Sequence, residues 1–189
     1  SDGGKVHIVD EPPLIYHPDD REVTLEVITK FLADYRETLP EERQMLYDRY
    51  HFVDLALKVV GVGSVGTRCF IVLMLADPDD PLFLQIKEAR PSVLEPYVPK
   101  SARAGALAGH NGHRIVLGQR LMQAASDIFL GWATGSAGGR DFYVRQLRDM
   151  KVAAVVETQS PSMMRAYAKL CGMGLARAHD KAGDAAQIA

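Results

Sequence analysis

The amino-acid sequence predicts an α+β fold in which an antiparallel sheet of about five strands packs against helices. Three observations lead to this prediction. Short stretches rich in Val, Leu and Ile follow one another between residues 52 and 87, separated by turn residues, as expected of hairpins. Segments with apolar residues at helical spacing lie on either side of them. The chain has 189 residues, of which 47% are hydrophobic and 24% charged, enough for one sizeable core.

Residues 1–50 are predicted to hold an extended N-terminal segment followed by two helices. The segment covers residues 1–19 and is interrupted at Pro12-Pro13. The first helix is expected to start from a cap at Asp19 or Asp20 and to reach about Thr38. Pro40 opens the second, which runs to about Tyr50, because proline suits the first turn of a helix. An apolar stripe supports the first helix: Leu25, Ile28, Phe31, Leu32 and Tyr35.

Three strands are predicted next, over residues 52–60, 67–75 and 82–87. The first two are joined by a glycine-rich turn and the last two by the Asp/Pro turn at residues 77–81. Alternation in the third strand predicts which side chains share a face. Leu82, Leu84 and Ile86 are expected on one face, and Phe83, Gln85 and Lys87 on the other.

The second half is predicted to hold a loop, a helix, one further strand or two, and a last helix. The loop covers residues 90–112, and the helix residues 114–130 with Leu117, Leu121, Ala125 and Ile128 inward. Trp132 and residues 135–139 form a turn, and residues 141–148 a strand. Ser160-Pro161 starts the last helix, whose packed stripe is Met163, Tyr167, Leu170 and Gly174.

This order divides the chain into three parts. Residues 1–50 form the N-terminal segment with its two helices, residues 51–150 the sheet with one helix, and residues 151–189 the C-terminal helix. The sequence lacks an initiator Met and shows no domain-like end at Ala189, so the chain is expected to be a piece of a larger protein with segments missing at both ends, one of them after the last helix.

Composition argues against several functional classes. The formal net charge of −2 argues against nucleic-acid binding through bulk charge. The longest apolar run, residues 69–76, is far shorter than a membrane span, and the first residues lack the apolar core of a secretory signal. A cytoplasmic location is therefore expected, with Cys69 and Cys171 as buried free thiols. Nothing in the sequence indicates the oligomeric state.

The chemical signal lies in residues 59–68, VVGVGSVGTR. Gly61, Gly63 and Gly66 fit the pattern G-x-G-x-x-G, in which backbone N–H groups can approach phosphate oxygens without a Cβ in the way. Ser64 and Thr67 add hydroxyl donors. A plain structural turn explains the same glycines, so the pattern is specific only together with its flanking elements.

Two types of nucleotide-binding unit use this glycine pattern. In a dinucleotide-binding unit a helix follows the glycines, whereas in a kinase-type unit a strand follows and a lysine on the next strand reaches the phosphates. Residues 67–72, TRCFIV, favour a strand, and Lys87 ends the strand after that, which favours the kinase-type unit. Arg68 departs from the valine usual there. The predicted helix 114–130 also lacks a glutamate to pair with Lys87, leaving Asp127 or Gln123 as substitutes.

Five blocks in order, VVGVGSVGTRCF, PLFLQIKEA, GQRLMQAASDIFLGW, GRDFYVRQLRDMK and LARAHDKAGDAAQIA, closely resemble a bacterial family catalogued as domain of unknown function 2252. Family members are longer and carry upstream blocks similar to the catalytic and metal-binding loops of aminoglycoside-phosphotransferase-type kinases. The resemblance implies an N-terminal lobe of kinase-like fold, with residues 145–148 beside the adenine pocket, and implies that this chain carries only the ATP-cradling part.

The leading functional hypothesis is therefore the ATP-binding portion of a kinase-like phosphotransferase with an unknown acceptor. Gly61, Gly63, Ser64, Gly66, Thr67 and Lys87 are the expected ATP-binding residues. Magnesium is implied by phosphoryl transfer, but the sequence offers no confident ligands for it, and no catalytic residue is assigned. His110 and His113 lie in a Gly/Asn loop without a nearby third ligand, so no metal site is expected there. Two alternatives stay open: a non-catalytic kinase-like scaffold or regulator, and a Rossmann-type dinucleotide-binding module.

Overall fold

The computed structural model describes residues 6–18, 23–61, 66–98, 109–136, 138–147 and 154–184. These residues form one six-stranded antiparallel sheet and four α-helices. The elements, in chain order, are β1 (Ile15–Tyr16), α1 (Leu25–Arg36), α2 (Glu41–Tyr47), β2 (His51–Lys58), β3 (Cys69–Leu75), β4 (Pro81–Ala89), α3 (Asn111–Met122), β5 (Gly131–Gly135), β6 (Arg140–Gln146) and α4 (Pro161–Ala182). Short 3₁₀ turns lie at Glu95–Tyr97 and Val156–Thr158.

The strand order is β1-β2-β3-β4-β6-β5, and every neighbouring pair is antiparallel. The predicted mixed fold with an antiparallel sheet is thereby confirmed, as is the turn after β3, where Asp80 N donates to Asp77 O. The sixth strand is β1, which has only two residues. Residues 131–135 form a strand although a turn was expected around Trp132, so the start of that prediction was wrong.

A contact far away in sequence explains β5. A Cβ on Gly131 would lie 2.7 Å from Thr38 Oγ1 and from Tyr35 Cε2, so the glycine serves close packing of α1 on this edge strand rather than a turn. The Thr38 hydroxyl also accepts the Trp132 N–H at 3.0 Å. The end of α1 therefore covers an edge strand whose backbone groups would otherwise lack partners.

The larger hydrophobic core lies on the face of the sheet that carries Leu84 and Val144, here named the first face. Helices α1 and α2 cover it: Phe31 packs edge-on against Phe142 at 5.7 Å between ring centroids. Tyr35 is fully buried and donates its hydroxyl to Phe129 O at 2.6 Å. Both N-terminal helices thus share one core with the sheet, a relationship that the sequence had left open.

Helix α1 begins later than predicted. Thr24, not Asp19 or Asp20, is its N-cap, and the Thr24 hydroxyl accepts the Val27 N–H. Both aspartates lie outside the described residues. Helix α2 ends at Tyr47 rather than near Tyr50, and Pro40 precedes it as expected.

The opposite face, here named the second face, carries Lys87 and a smaller apolar cluster around Ile71 and Leu73. The N-terminal segment covers part of this face, and there His17 contacts two aspartates. His17 places Nδ1 2.7 Å from Asp10 Oδ1 and Nε2 3.2 Å from both oxygens of Asp54. Burial lowers the pKa of His17, but the hydrogen bonds from Asp54 and Asp10 outweigh it and raise that pKa overall.

Helix α3 spans Asn111–Met122, whereas residues 114–130 were predicted. The helix ends early because Asp127 fixes a different local structure: its carboxylate accepts the Phe129 N–H and the Gln146 N–H, both at 2.8 Å. Ile128, which was expected to face inward, is 38% exposed. That part of the helix prediction was therefore wrong.

The chain separates into two compact units, residues 1–116 with 127–147 and residues 117–126 with 148–189. The second unit contains α4, which Ser160 caps by accepting the Met163 N–H, as predicted. Its predicted packed stripe is wrong, since Met163, Tyr167 and Leu170 are exposed and no atom lies within 4 Å of a Cβ placed at Gly174. Cys171 is exposed too, whereas Cys69 is buried. Within the described residues, no helix combines the length and apolar character needed to cross a membrane.

Candidate functional site

The glycine-rich turn joins β2 to β3, so strands flank it on both sides, as predicted. Gly66 has a φ of +74°, a left-handed conformation that other residues rarely adopt. A Cβ at Gly61 or Gly66 would meet nothing within 4 Å, so the space around both is open. Thr67 lies directly after Gly66, and Gly63 and Ser64 lie outside the described residues.

Hydrogen bonds join the residues that end the glycine turn to the residues that end β4. Glu88 Oε2 accepts the Arg68 N–H at 3.0 Å, and Glu88 Oε1 accepts Arg90 Nε at 3.0 Å. Arg90 in turn donates through Nη2 to Gly66 O. Burial raises the pKa of Glu88, but the hydrogen bonds from Arg68 and Arg90 outweigh it and hold the pKa below its ordinary range. A network of charged groups thereby links the glycine turn to the residues beside Lys87.

Lys87 lies on the second face, in a row that crosses the sheet. Cys69 of β3 pairs with Lys87, and Lys87 pairs with Tyr143 of β6, so the three side chains share that face. Leu57 pairs with Phe70, which places the next residue, Lys58, on the same side as Cys69. Glu88 points to the first face, opposite Lys87, and its carboxylate pairs with Arg90.

A third cation, Arg145, lies on the same face, two residues after Tyr143 on β6. Arg145 donates through Nε and Nη2 to Gln85 Oε1 at 3.2 and 3.1 Å, and Gln85 is almost fully buried. Gln85 Nε2 lies 3.5 Å from Cys69 Sγ. Burial raises the pKa of the Cys69 thiol, although Lys87, Lys58 and Arg145 oppose the rise. The second face therefore brings three cations, Lys58, Lys87 and Arg145, around one buried neutral thiol.

The first half of α3 packs on β5 and β6. The Asn111 N–H and side-chain amide donate to Asp141 Oδ2 at 2.7 and 3.0 Å, and the His113 ring stacks on Trp132 at 4.2 Å. His110 Nε2 lies 3.1 Å from Thr134 Oγ1, and its Nδ1 faces the His113 N–H at 3.1 Å. Both histidines therefore contact neighbouring residues of α3 and β5.

The two residues considered as substitutes for the missing glutamate lie in different surroundings. Asp127 accepts the backbone N–H groups of Phe129 and Gln146 with its two carboxylate oxygens. Gln123 follows the end of α3 and lies in the second unit. Helix α3 itself, NGHRIVLGQRLM, contains no acidic residue. Across the described parts of the chain, no three His, Cys, Asp or Glu side chains come together as metal ligands would.

Two cavities in the first unit adjoin this region. One, of about 440 Å³, lies beside the glycine turn and is lined by Tyr16, Leu57, Gly66 and Thr67 among others. The other, of about 60 Å³, lies between α1 and the first face and has Arg68 and Arg140 among its lining residues. Arg68 contributes to both. In the sequence, Arg68 is notable only as a departure from the kinase-type glycine motif. Its place at a cavity could not be predicted, because the cavity depends on the distance between α1 and the sheet.

One comparison with known proteins identifies the family. The model of the family described as "Uncharacterized protein conserved in bacteria (DUF2252)" matches residues 1–189, and the chain belongs to this family. No curated protein and no solved structure matches the chain.

Proposed function

We propose that this DUF2252 chain is the ATP-binding portion of a kinase-like phosphotransferase, acting on an acceptor that its residues do not identify. The observation that carries the proposal is the register of β3 and β4. Lys87 stands opposite Cys69, three residues after Gly66, so the glycine turn and the lysine meet at one end of the sheet. Helices α1 and α2 lie on the other face and leave this arrangement uncovered by them.

The chemistry of the second face suits a polyphosphate. Backbone N–H groups in a glycine turn bind phosphate oxygens at short range, and cations nearby offset their charge. Lys58, Lys87 and Arg145 supply positive charge on the same face of the sheet. The cavity of about 440 Å³ beside Gly66 and Thr67 gives a ligand access to the turn.

The order of elements supports the kinase-like form of the proposal. A strand, a glycine turn, a second strand, a lysine-bearing strand, a helix and two further strands follow one another in that sequence. Protein kinases place their phosphate-binding loop and lysine in the same succession. The Rossmann-type alternative needs a helix after the glycines and a parallel sheet, but residues 69–75 form an antiparallel strand, so that alternative is not proposed.

A second candidate function is a non-catalytic nucleotide-binding scaffold. The observation that favours it is the composition of α3, NGHRIVLGQRLM, which contains no glutamate. In protein kinases a glutamate on the equivalent helix pairs with the lysine and is required for activity. Binding of ATP without turnover is the result expected of the scaffold.

The test is calorimetric titration of Mg-ATP into the wild-type protein and its Lys87→Ala variant. Lys30→Ala is the matched control, since Lys30 is an exposed α1 residue that pairs with Asp34. We expect saturable ATP binding, no binding of NAD, and affinity at least about tenfold weaker in Lys87→Ala, because a charged contact to phosphate is lost. The control should bind ATP as the wild type does.

Two results would overturn the proposal: a folded wild-type protein that does not bind Mg-ATP, or equal binding by Lys87→Ala. ATP turnover by the full-length protein of which this chain is proposed to be a portion, measured as release of ADP, separates the two candidate functions. Binding with turnover favours the phosphotransferase, and binding without it favours the scaffold.

A further inference from the structure

A small apolar cavity lies under the first turns of α1, on the face of the sheet opposite Lys87. Its walls come from α1 and from the central strands: Val27, Phe31, Leu55, Phe70, Ile86 and Phe142. Phe31, Leu55, Phe70 and Phe142 are each 7–8% exposed, whereas Val27 is only half-buried, so the cavity is a half-open pocket at the edge of the packed core. Its apolar walls suit an apolar group.

Two guanidinium groups at the cavity distinguish it from a packing defect. Arg68 and Arg140 both contribute to its lining, together with Ser136, Gly135 and otherwise apolar residues. The Arg68 side chain is partly buried and makes no hydrogen bond or ion pair with any residue that the structure describes. A partly buried guanidinium whose donors are unused within the described residues suits an anionic ligand.

Among the described residues, no carboxylate is hydrogen-bonded to the Arg68 guanidinium. Glu88, the acidic residue of the hydrogen-bond network here, accepts the Arg68 backbone N–H and Arg90 Nε with its two oxygens. Arg140 acts electrostatically on the same carboxylate.

The size of the cavity limits the apolar part of the ligand. Its volume of about 60 Å³ corresponds to roughly four or five water-sized groups. A branched chain of four or five carbons fits that space, whereas a long acyl chain does not.

We propose that this cavity binds a short branched-chain monocarboxylate, with its alkyl group among Phe31, Phe70 and Phe142 and its carboxylate on Arg68. Arg68 presents a planar pair of N–H donors that suits a carboxylate. The site lies on the first face and the nucleotide proposal concerns the second, with Arg68 lining the cavities of both.

The experiment titrates isovalerate, isoamyl alcohol and acetate separately into the whole protein and follows methyl resonances of Val27, Ile28 and Leu55 by NMR. Isovalerate carries both the alkyl group and the charge, and each of the others carries one of them. We expect isovalerate to bind at least about tenfold more tightly than either, since only it satisfies the cavity and Arg68 together.

Variants locate the binding. Arg68→Gln should weaken isovalerate binding at least about fivefold, because the charged hydrogen bonds are lost. Arg49→Gln, on an exposed arginine after α2, should leave it unchanged. Val27→Phe should abolish it by filling the cavity.

Equal binding of isoamyl alcohol and isovalerate would overturn the proposal by showing an apolar cavity without an anion site. Absence of isovalerate shifts at these methyl groups would overturn it as well. Neither result depends on a variant, so a substitution that fails to fold leaves the test intact.

Discussion

Glu88 is the residue on which the geometry of the glycine turn depends most. Its side chain is only 8% exposed, and its two oxygens accept the Arg68 N–H and Arg90 Nε, both at 3.0 Å. Arg90 then reaches back to Gly66 O. The carboxylate therefore ties the end of β4 to the exit of the turn, directly beside Lys87.

Replacing Glu88 with Gln should lower the free energy of unfolding by about 1.5–3 kcal/mol, the usual value of hydrogen bonds to a charged group. Urea unfolding measures the change. Glu42→Gln is the control, since Glu42 is a 67% exposed helix residue that should stay within about 0.5 kcal/mol of wild type.

Stability should also depend on pH differently in Glu88→Gln and in the wild type. The pKa of Glu88 is held below its ordinary range, so its contribution to stability is present above that range and is lost as the pH falls through the folded-state pKa. Wild-type stability should thus fall more steeply than that of Glu88→Gln below about pH 4. Parallel stability curves for the two proteins would contradict the assignment.

Among the elements, α3 lies close against the sheet at Gly112. A Cβ on Gly112 would lie 2.2 Å from Phe142 O, a backbone atom that cannot move aside without displacing β6. Its neighbours Asn111 and His113 fix the same turn of the helix through Asp141 and Trp132. The glycine is therefore required for the helix to lie on the strand.

Gly112→Ala should destabilise the protein by about 1–3 kcal/mol, as overpacking does. The matched substitution lies in the same helix: at Gly118 a Cβ would meet only Met122 Cε at 4.0 Å. Gly118→Ala should stabilise by up to about 1 kcal/mol, because alanine favours helix more than glycine does. Thermal unfolding of both variants checks the contrast, and equal effects at the two positions would count against the packing of α3 on β6.

The faces of the sheet could be read from the sequence, and two element boundaries could not. Alternation in residues 82–87 placed Leu84 inside and Lys87 on the opposite face because the period of a strand is two. The strand β5 was not predicted, because the glycine at position 131 serves close packing against Tyr35 and Thr38, about ninety residues earlier in the sequence. The early end of α3 follows from Asp127 contacting Gln146, another long-range contact.

Part of the candidate site could likewise be predicted from the sequence, and part could not. The turn and Lys87 were predicted from local spacing, and the structure places Gly66 and Lys87 at one end of the sheet. Arg145 was expected beside an adenine, but its guanidinium contacts Gln85, a pairing that only the register of β4 and β6 creates. The cavity at Arg68 could not be predicted, because it depends on how α1 seats on the first face.

At the scale of the first unit, the two faces of one sheet have different chemistry. The first face is a packed core with a small apolar cavity and arginines at its edge. The second carries Lys58, Lys87 and Arg145 around Cys69, next to the glycine turn. A polyphosphate suits the second face and a small carboxylate the first, and because Arg68 lines the cavities of both, each ligand is titrated in the absence of the other.

The measurement that tests the central claim most directly is labelling with an acyl-phosphate derivative of ATP, followed by peptide mapping. In this reaction a lysine amine attacks the acyl carbon, an amide forms, the bond to phosphate oxygen breaks, and ATP leaves. We predict that Lys87 is labelled and that excess Mg-ATP protects it, while labelling of the exposed Lys30 and Lys169 does not respond to ATP. Labelling of Lys87 no faster than that of Lys30, and unaffected by ATP, would contradict a nucleotide site at the glycine turn.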